Sequence, residues 1–294
     1  MVSSNSPLNS IEFQDRLAVI ATMHRKEIVI APILETSLGL RIIVPQDFSQ
    51  DFNSDLFGTF TRDIDRTNSQ VQTAKLKAEK AMELLDVDLA IASEGSFFPH
   101  PFLGIPFNRE IVLIRDRNYD FTVYGEFLST DTNFNHQEVS SYQEAYEFAL
   151  RAGFPNHGIV IMPDAHTSAK EAIYKGIISE EMLKKSVNEL LKRSPQIHIE
   201  TDMRALYNPT RMNNIAKATQ VLVRKLQQLC PNCNFVNFDV AESIPGLPCE
   251  LCGLPTQVTR SHIYGCDRCN FKQEILFPDG NQTSDPMYCS YCNP

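Results

Sequence analysis

Hydrophobic positions along residues 1–229 fall into two recurring patterns, short unbroken apolar runs and longer stretches with a spacing of three to four residues. Leu17–Thr22 is a run of the first kind and reads as a buried strand. Residues 41–44, 89–92, 110–114 and 158–162 repeat the form. Residues 120–127 instead place Phe121, Val123 and Phe127 on alternate positions, the pattern of a half-buried strand. A helix lies within residues 26–38, with Gly39 as its terminator, and Pro32 must kink it or mark its first turn. Val71, Ala74, Ala78, Ala81 and Leu85 mark a helix over 71–85 whose small buried face suits close packing on a sheet. Lys75, Lys77, Glu79, Lys80 and Glu83 decorate its other faces. Further helices are predicted near 142–152 and 180–192. The strongest covers 209–229, where Met212, Ile215, Ala216, Thr219, Leu222, Val223, Leu226 and Leu229 form one stripe. Asn208 stands as its N-cap and Pro209 in the first helical position. Strands alternating with helices predict a layered α/β domain, and strands that follow one another without a helix make its central sheet mixed.

The pattern changes at Cys230. All eight cysteines lie between Cys230 and Cys292, as four C-x-x-C pairs: Cys230/Cys233, Cys249/Cys252, Cys266/Cys269 and Cys289/Cys292. The gaps between successive pairs are 15, 13 and 19 residues, and the outer two match zinc ribbons. Zinc takes four thiolates in a tetrahedron, and one tight turn can supply two of them. The residues after the pairs are Asn234, Gly253, Asn270 and Asn293, which tolerate the left-handed backbone such a turn needs. Two four-cysteine sites are therefore expected, closed to water and structural in role. Sequential pairing, first with second and third with fourth, is the expectation; spacing leaves an interleaved arrangement open. The chain thus divides into an α/β domain over residues 1–229, the catalytic or ligand-binding part, and a double zinc-ribbon domain over 230–294.

Composition narrows the function classes. The chain has 294 residues, 43% hydrophobic, with 27 basic against 36 acidic side chains and a net charge of −9. The tail carries only Arg260, Arg268 and Lys272 against seven acids, and each four-thiolate zinc site adds about −2. Phosphate backbones are held mainly by Lys and Arg, so nucleic acid is an unlikely partner, although ribbons often bind it. A protein-contact or subunit-stapling role fits the tail better and admits a homo-oligomer. The polar stretch Met1–Ser10 has no secretory order, and no apolar run approaches the roughly 18–20 residues of a bilayer span. A cytoplasmic setting without membrane attachment is expected, and there paired cysteines favour metal over disulfides.

Three segments could carry chemistry. Residues 21–27 form the turn between the first strand and the first helix, where Thr22, His24, Arg25 and Lys26 face the amide-rich helix start that suits phosphate. Residues 92–101 (ASEGSFFPHP) follow the third apolar run. An acid there, Glu94, followed by small residues beyond a strand end, suits a magnesium ligand or a base that orients water; a Gly-Ser turn with one exposed acid is the alternative. Residues 200–211 bring Glu200, Asp202, Arg204 and Arg211 to a helix N-terminus, where arginine forks bind phosphate or carboxylate. His100 gains weight from its neighbours, whereas His166 reads as structural.

The motifs HRKE (residues 24–27), SEGSFFPHP (93–101) and ETDMRALYNPTRM (200–212), followed by paired C-x-x-C, resemble an uncharacterised family of bacterial domain-of-unknown-function proteins, which implies no activity. Residues from about 19 to 115 are also similar to the inosine-triphosphatase-like nucleotide pyrophosphatases. There a strand ends in a Thr-containing turn with a downstream Lys, then a basic Ala-rich helix and a strand ending in an acid-small-Gly run; here Thr22 and Lys26, Thr73–Ala78, and Ala90–Gly95. The resemblance implies that Thr22, Lys26, Lys75 and Lys77 face phosphates and that Glu94 serves magnesium or water. His24 stands where that family has Asn, and the third segment has no counterpart. The resulting expectation is a magnesium-dependent hydrolase of a nucleotide-like phosphoanhydride. Glu94 and Asp202 would be catalytic, and Thr22, His24, Lys26, Lys75, Lys77, Arg204 and Arg211 would hold a small phosphorylated ligand. The alternative is a non-catalytic nucleotide-sensing or protein-binding module with a zinc adaptor.

Overall fold

The computed structural model describes residues 11–22, 24–45, 69–99, 104–167 and 172–294, so His100 lies outside the described residues. It divides into two compact units, one over Phe13–Val223 and one that includes Arg224–Pro294.

The first unit holds two sheets. Five strands, β1 (Leu17–Ala21), β2 (Arg41–Ile43), β3 (Leu89–Pro99), β4 (Pro106–Asp116) and β5 (Phe121–Ser129), make a sheet in the order β2-β1-β3-β4-β5. The strands β2, β1 and β3 run parallel, while β4 and β5 add antiparallel hairpins, so the sheet is mixed as the strand succession predicts. Helices α1 (Glu27–Leu38) and α2 (Gln70–Leu85) lie between the parallel strands in sequence. Because β2 and β3 flank β1 on opposite sides, right-handed crossovers put α1 and α2 on opposite faces. The small side of α2, Ala74, Ala78 and Ala81, packs on Val19, Ala21, Ala90, Ala92 and Leu113. Gly39 ends α1 with φ of 68° and donates its N–H to the Glu35 carbonyl; Pro32 lies inside the helix.

The second sheet was not foreseen. Four short strands, β6 (His136–Val139), β7 (Ile159–Met162), β8 (Tyr174–Ile177) and β9 (Ile197–Thr201), pair antiparallel in the order β6-β9-β7-β8. Helices α3 (Tyr142–Arg151) and α4 (Glu180–Leu191) cover it through Phe148, Leu183, Val187 and Leu190. The last helix, α5 (Pro209–Gln227), begins where the stripe predicts. Asn208 Oδ1 accepts from the Arg211 amide at 3.0 Å, which satisfies one of the orphan donors of the first turn. A Cβ on Gly125 of β5 would lie 2.8 Å from the Leu222 Cα and closer still to the Ala218 carbonyl, so glycine lets α5 lie directly on the sheet.

The second unit is built on β10 (Asp239–Pro245), β11 (Thr259–Gly265) and β12 (Lys272–Leu276), an antiparallel sheet in that order. Its apolar core is small: Phe238 packs with Phe235, Tyr264, Phe271 and cysteines, which is too little to hold such a segment without cross-links.

Candidate functional site

The cysteines assemble into two groups, Cys230/Cys233/Cys266/Cys269 and Cys249/Cys252/Cys289/Cys292. The sequential pairing expected from the sequence is therefore corrected: the first pair joins the third and the second joins the fourth. The β10–β11–β12 sheet explains it. Strand β11 leads directly into Cys266, and antiparallel pairing sets Asp239 opposite Gly265, so the knuckles at Cys230 and Cys266 come to one end of the sheet. Each pair turns back in the same way. The amides of Asn234, Gly253, Asn270 and Asn293 donate to the carbonyls of Cys230, Cys249, Cys266 and Cys289, and Asn234, Gly253 and Asn270 have φ between 56° and 73°. The sulfurs lie 3.6 Å apart for Cys230–Cys269, Cys233–Cys266 and Cys252–Cys289, and 3.9 Å apart for Cys249–Cys292. Zinc–sulfur bonds of about 2.3 Å in a tetrahedron place sulfurs about 3.8 Å apart, so both groups fit a zinc ion of the closed, structural kind.

In the first unit, the strand expected over residues 89–92 does not end there, and this is a second correction. Residues 89–99 form one strand paired with β4 over its whole length. Glu94 sits in mid-strand rather than in a loop beyond a strand end. Alternation assigns the side chains: Glu94 shares the α2 face with Ala90 and Ala92, whereas Ser93 and Gly95 face the opposite side.

On the α2 face, Lys77 forms a 2.5 Å ion pair with Glu94, and both side chains are buried. Lys77 thus turns inward from the helix instead of decorating its outer surface. Lys75, the other lysine implied by the pyrophosphatase resemblance, is exposed and pairs with Glu79 at 3.8 Å. On the other face Arg211 reaches from α5 to Glu110 of β4. Nε meets Oε1 at 2.6 Å, Nη2 meets Oε2 at 3.4 Å, and Nη1 donates to the Met203 carbonyl at 2.5 Å. Asn108 donates to the same carboxylate at 3.0 Å and accepts from Asn214 at 2.8 Å. Gly95 stands opposite Glu110, and a Cβ there would lie 2.6 Å from Oε2, so glycine leaves room for the pair. Phe97 packs under the guanidinium, 5.4 Å from its ring centre.

Lys26 joins the two faces. It caps α1 just after β1, which stops pairing with β3 at Ala92. Where β1 has ended, its ammonium donates to the Ser93 carbonyl at 3.2 Å and to Ser93 Oγ at 3.0 Å. This is the carboxyl end of β1 at the β1/β3 boundary, from which the chain crosses in opposite directions, the place where open α/β sheets bind ligands. Burial, reinforced by the nearby Arg211 charge, lowers the Lys26 pKa to about 7, with a further push from Lys77. Glu94 and Glu110 act in the opposite sense. Thr22 is buried beside this turn and its Oγ1 accepts from the His24 amide at 3.4 Å; His24 is half-buried.

Asp202 and Arg204 form a separate constellation. Arg204 Nε and Nη2 lie 3.0 and 2.6 Å from the two Asp202 oxygens, and the Gly176 amide donates to Oδ2 at 3.0 Å. Arg204 also stacks on Tyr207, 4.6 Å from the ring centre. Asp202 thus ties the end of β9 to β8, while Glu94 keeps its own partner. Among the described residues, groups of three or more His, Cys, Asp or Glu side chains within metal-binding reach occur only at the cysteines. Magnesium asks for several oxygen ligands at once. The carboxylates of Glu94 and Asp202, each committed to a cation, do not form such a site. Glu110, Asn108 and Asn214 escaped sequence reading; Glu110, a charged residue opening an otherwise apolar run, offered a signal.

The chain belongs to a family described as a domain of unknown function, DUF6671, whose model matches residues 77–294. No curated protein matches. One solved structure, a PelC dodecamer from Paraburkholderia phytofirmans, is similar at 8% identity over 65% of this chain and 94% of that one, with a TM-score of 0.21. No helix among the described residues is long and apolar enough to cross a membrane.

Proposed function

We propose that the Phe13–Val223 unit binds a small phosphorylated, nucleotide-like ligand at the carboxyl end of β1, and that the cysteine-rich unit is a zinc-stabilised adaptor. One observation carries the reading. The Lys26 ammonium is drawn out of water at the β1/β3 boundary, where among the described residues Arg211 and Lys77 act against its charge and Glu94 and Glu110 favour it, three cations to two carboxylates. A site with surplus positive charge in a low-dielectric setting favours an anion. Thr22 and His24, on the turn leading to Lys26, complete the contact surface, while Lys77, Glu94, Arg211 and Glu110 shape it as ion pairs. The zinc ions close the tail by joining its first knuckle to its third and its second to its fourth, and a cytoplasmic setting would keep the thiols reduced.

The binding reading is favoured over magnesium-dependent hydrolysis because Glu94 is occupied by Lys77 and Asp202 by Arg204 and Gly176. A screen of nucleoside triphosphates with and without magnesium separates the two. Binding predicts thermal stabilisation without turnover. Turnover that disappears in Glu94→Gln would restore the hydrolase.

A further inference from the structure

We propose that Lys26 is a nucleophilic amine that captures a carbonyl-bearing phosphorylated ligand as an imine, with Ser93 as the neighbouring proton carrier. The proposal takes the place of the ligand from the reading above and adds the ligand's chemical class.

The geometry supports it in two ways. The amine is buried, with 7% of the Lys26 surface exposed, and it stands at the ligand-binding end of the sheet rather than on an outer helix face as Lys75 does. Among the described residues, the hydrogen-bond partners of Nζ are the Ser93 carbonyl and hydroxyl, neither of which fixes the proton as a carboxylate would. The electrostatics agree: burial first, then the Arg211 and Lys77 charges, disfavour the ammonium, while Glu94 and Glu110, each paired with one of those cations, favour it. Desolvation beside another cation is a known way to keep a lysine neutral and reactive. With its pKa at about 7 in place of the ordinary 10.5, roughly half of Lys26 is neutral at pH 7, against about one in 3000 for an ordinary lysine.

The step balances without a further reactant. The Nζ lone pair attacks the carbonyl carbon, and the proton lost from nitrogen passes to the carbonyl oxygen, giving a carbinolamine. Loss of that hydroxyl with one more proton releases water and leaves a C=N bond to Lys26. The Ser93 hydroxyl, 3.0 Å from Nζ, can hand the proton across in both halves. The phosphoryl group supplies the affinity that brings the carbonyl to this amine and not to the surface lysines.

The test uses the intact zinc-loaded chain with pyridoxal 5′-phosphate as probe, borohydride to trap any imine, and peptide mapping. The expected result is a trapped adduct on Lys26 that forms at least about tenfold faster than on exposed Lys75, with a pH–rate midpoint moved above about 7 by the probe's phosphate but below the ordinary lysine value of 10.5. Inorganic pyrophosphate should protect it, and pyridoxal without the phosphate should react more slowly. Lys26→Arg, checked for an unchanged melting temperature, should lose the adduct, while Ser93→Ala should slow its formation and leave the labelling site the same. Equal labelling of Lys26 and the surface lysines overturns the imine. If pyrophosphate stabilises the protein but Lys26 is not trapped, the imine fails and the phosphate reading survives. If Lys26 is trapped selectively but pyrophosphate neither protects nor stabilises, the amine chemistry holds and the phosphate reading falls.

Discussion

The Arg211–Glu110 pair offers a quantitative test of how the site is built. Both side chains are fully buried, and the guanidinium also holds the Met203 carbonyl. Arg211→Met would leave the Glu110 carboxylate with Asn108 as its remaining donor among these contacts, and Glu110→Met would strand the guanidinium on Met203. Breaking one side of a buried pair costs about 3–5 kcal/mol, because the other charge is left uncompensated. In a unit of this size that lowers the melting temperature by about 6–20 °C. The double variant removes both charges and, among the contacts named, leaves the Met203 carbonyl and the Asn108 amide in want of partners, about 1–3 kcal/mol each. It should therefore cost about 4 kcal/mol less than the two singles together, and that difference is the coupling. The chain has no tryptophan, so urea unfolding is best followed by circular dichroism at constant zinc, which keeps the cysteine-rich unit out of the difference. Costs that add to within about 0.5 kcal/mol would refute the pair as the element that joins α5 to β4.

Three other perturbations have defined outcomes. Cys230→Ser with Cys266→Ser should leave one zinc per chain by elemental analysis, because both belong to one group, whereas Cys230→Ser with Cys249→Ser should abolish both sites. Gly125→Ala places a Cβ against the backbone of α5 at Ala218 and Leu222 and should cost about 3 kcal/mol in urea unfolding, since neither helix backbone nor strand can yield as a side chain would. His198 lies between Glu200 and Glu138, whose hydrogen bonds raise its pKa against the opposing effect of burial. A raised pKa means the imidazolium stabilises the fold fully below the unfolded value of about 6.5 and that this is lost as pH rises through the higher folded value. The melting-temperature advantage of the wild type over His198→Gln should accordingly shrink from pH 5.5 to pH 8.5, or about that range; a constant difference would remove the charge from the account.

Much of the fold was legible because packing wrote it into apolar spacing. The stripe from Met212 to Leu226 and the Asn208–Pro209 entry gave α5, and the alanines of α2 announced its contact with β3. Strand β3 was legible only to Ala92. Beyond that its residues are Ser, Glu, Gly and Ser, which read as a turn because local propensity favours one. They stay extended because β4 pairs with them along all eleven residues, and because Lys77 and Gln70 of α2 and Lys26 of the β1–α1 turn supply partners. No local window contains those partners. The β6–β9 sheet was missed for a related reason: His136–Val139 and Ile197–Thr201 mix histidines and acids into short strands, so hydrophobic alternation is broken where Glu138, His198 and Glu200 pair. Cysteine spacing located the ligands but not their grouping, which is set by strand order. Among the expected ligand residues, Lys26 and Arg211 come to one region, Lys77 and Glu94 pair across the neighbouring face, and Asp202 and Arg204 hold each other.

The central claim is that Lys26 and the turn before it form a site for a phosphorylated ligand. Calorimetric titration of inorganic pyrophosphate into the zinc-loaded protein at pH 7.5, or about one half-unit above the Lys26 pKa of about 7, tests it most directly. Saturable binding with proton uptake is expected, seen as a heat that differs between buffers of different ionisation enthalpy, because an anion beside Lys26 favours its charged form. Lys26→Met should abolish both the binding and the buffer dependence. Equal binding by wild type and Lys26→Met, or none by either, would contradict it.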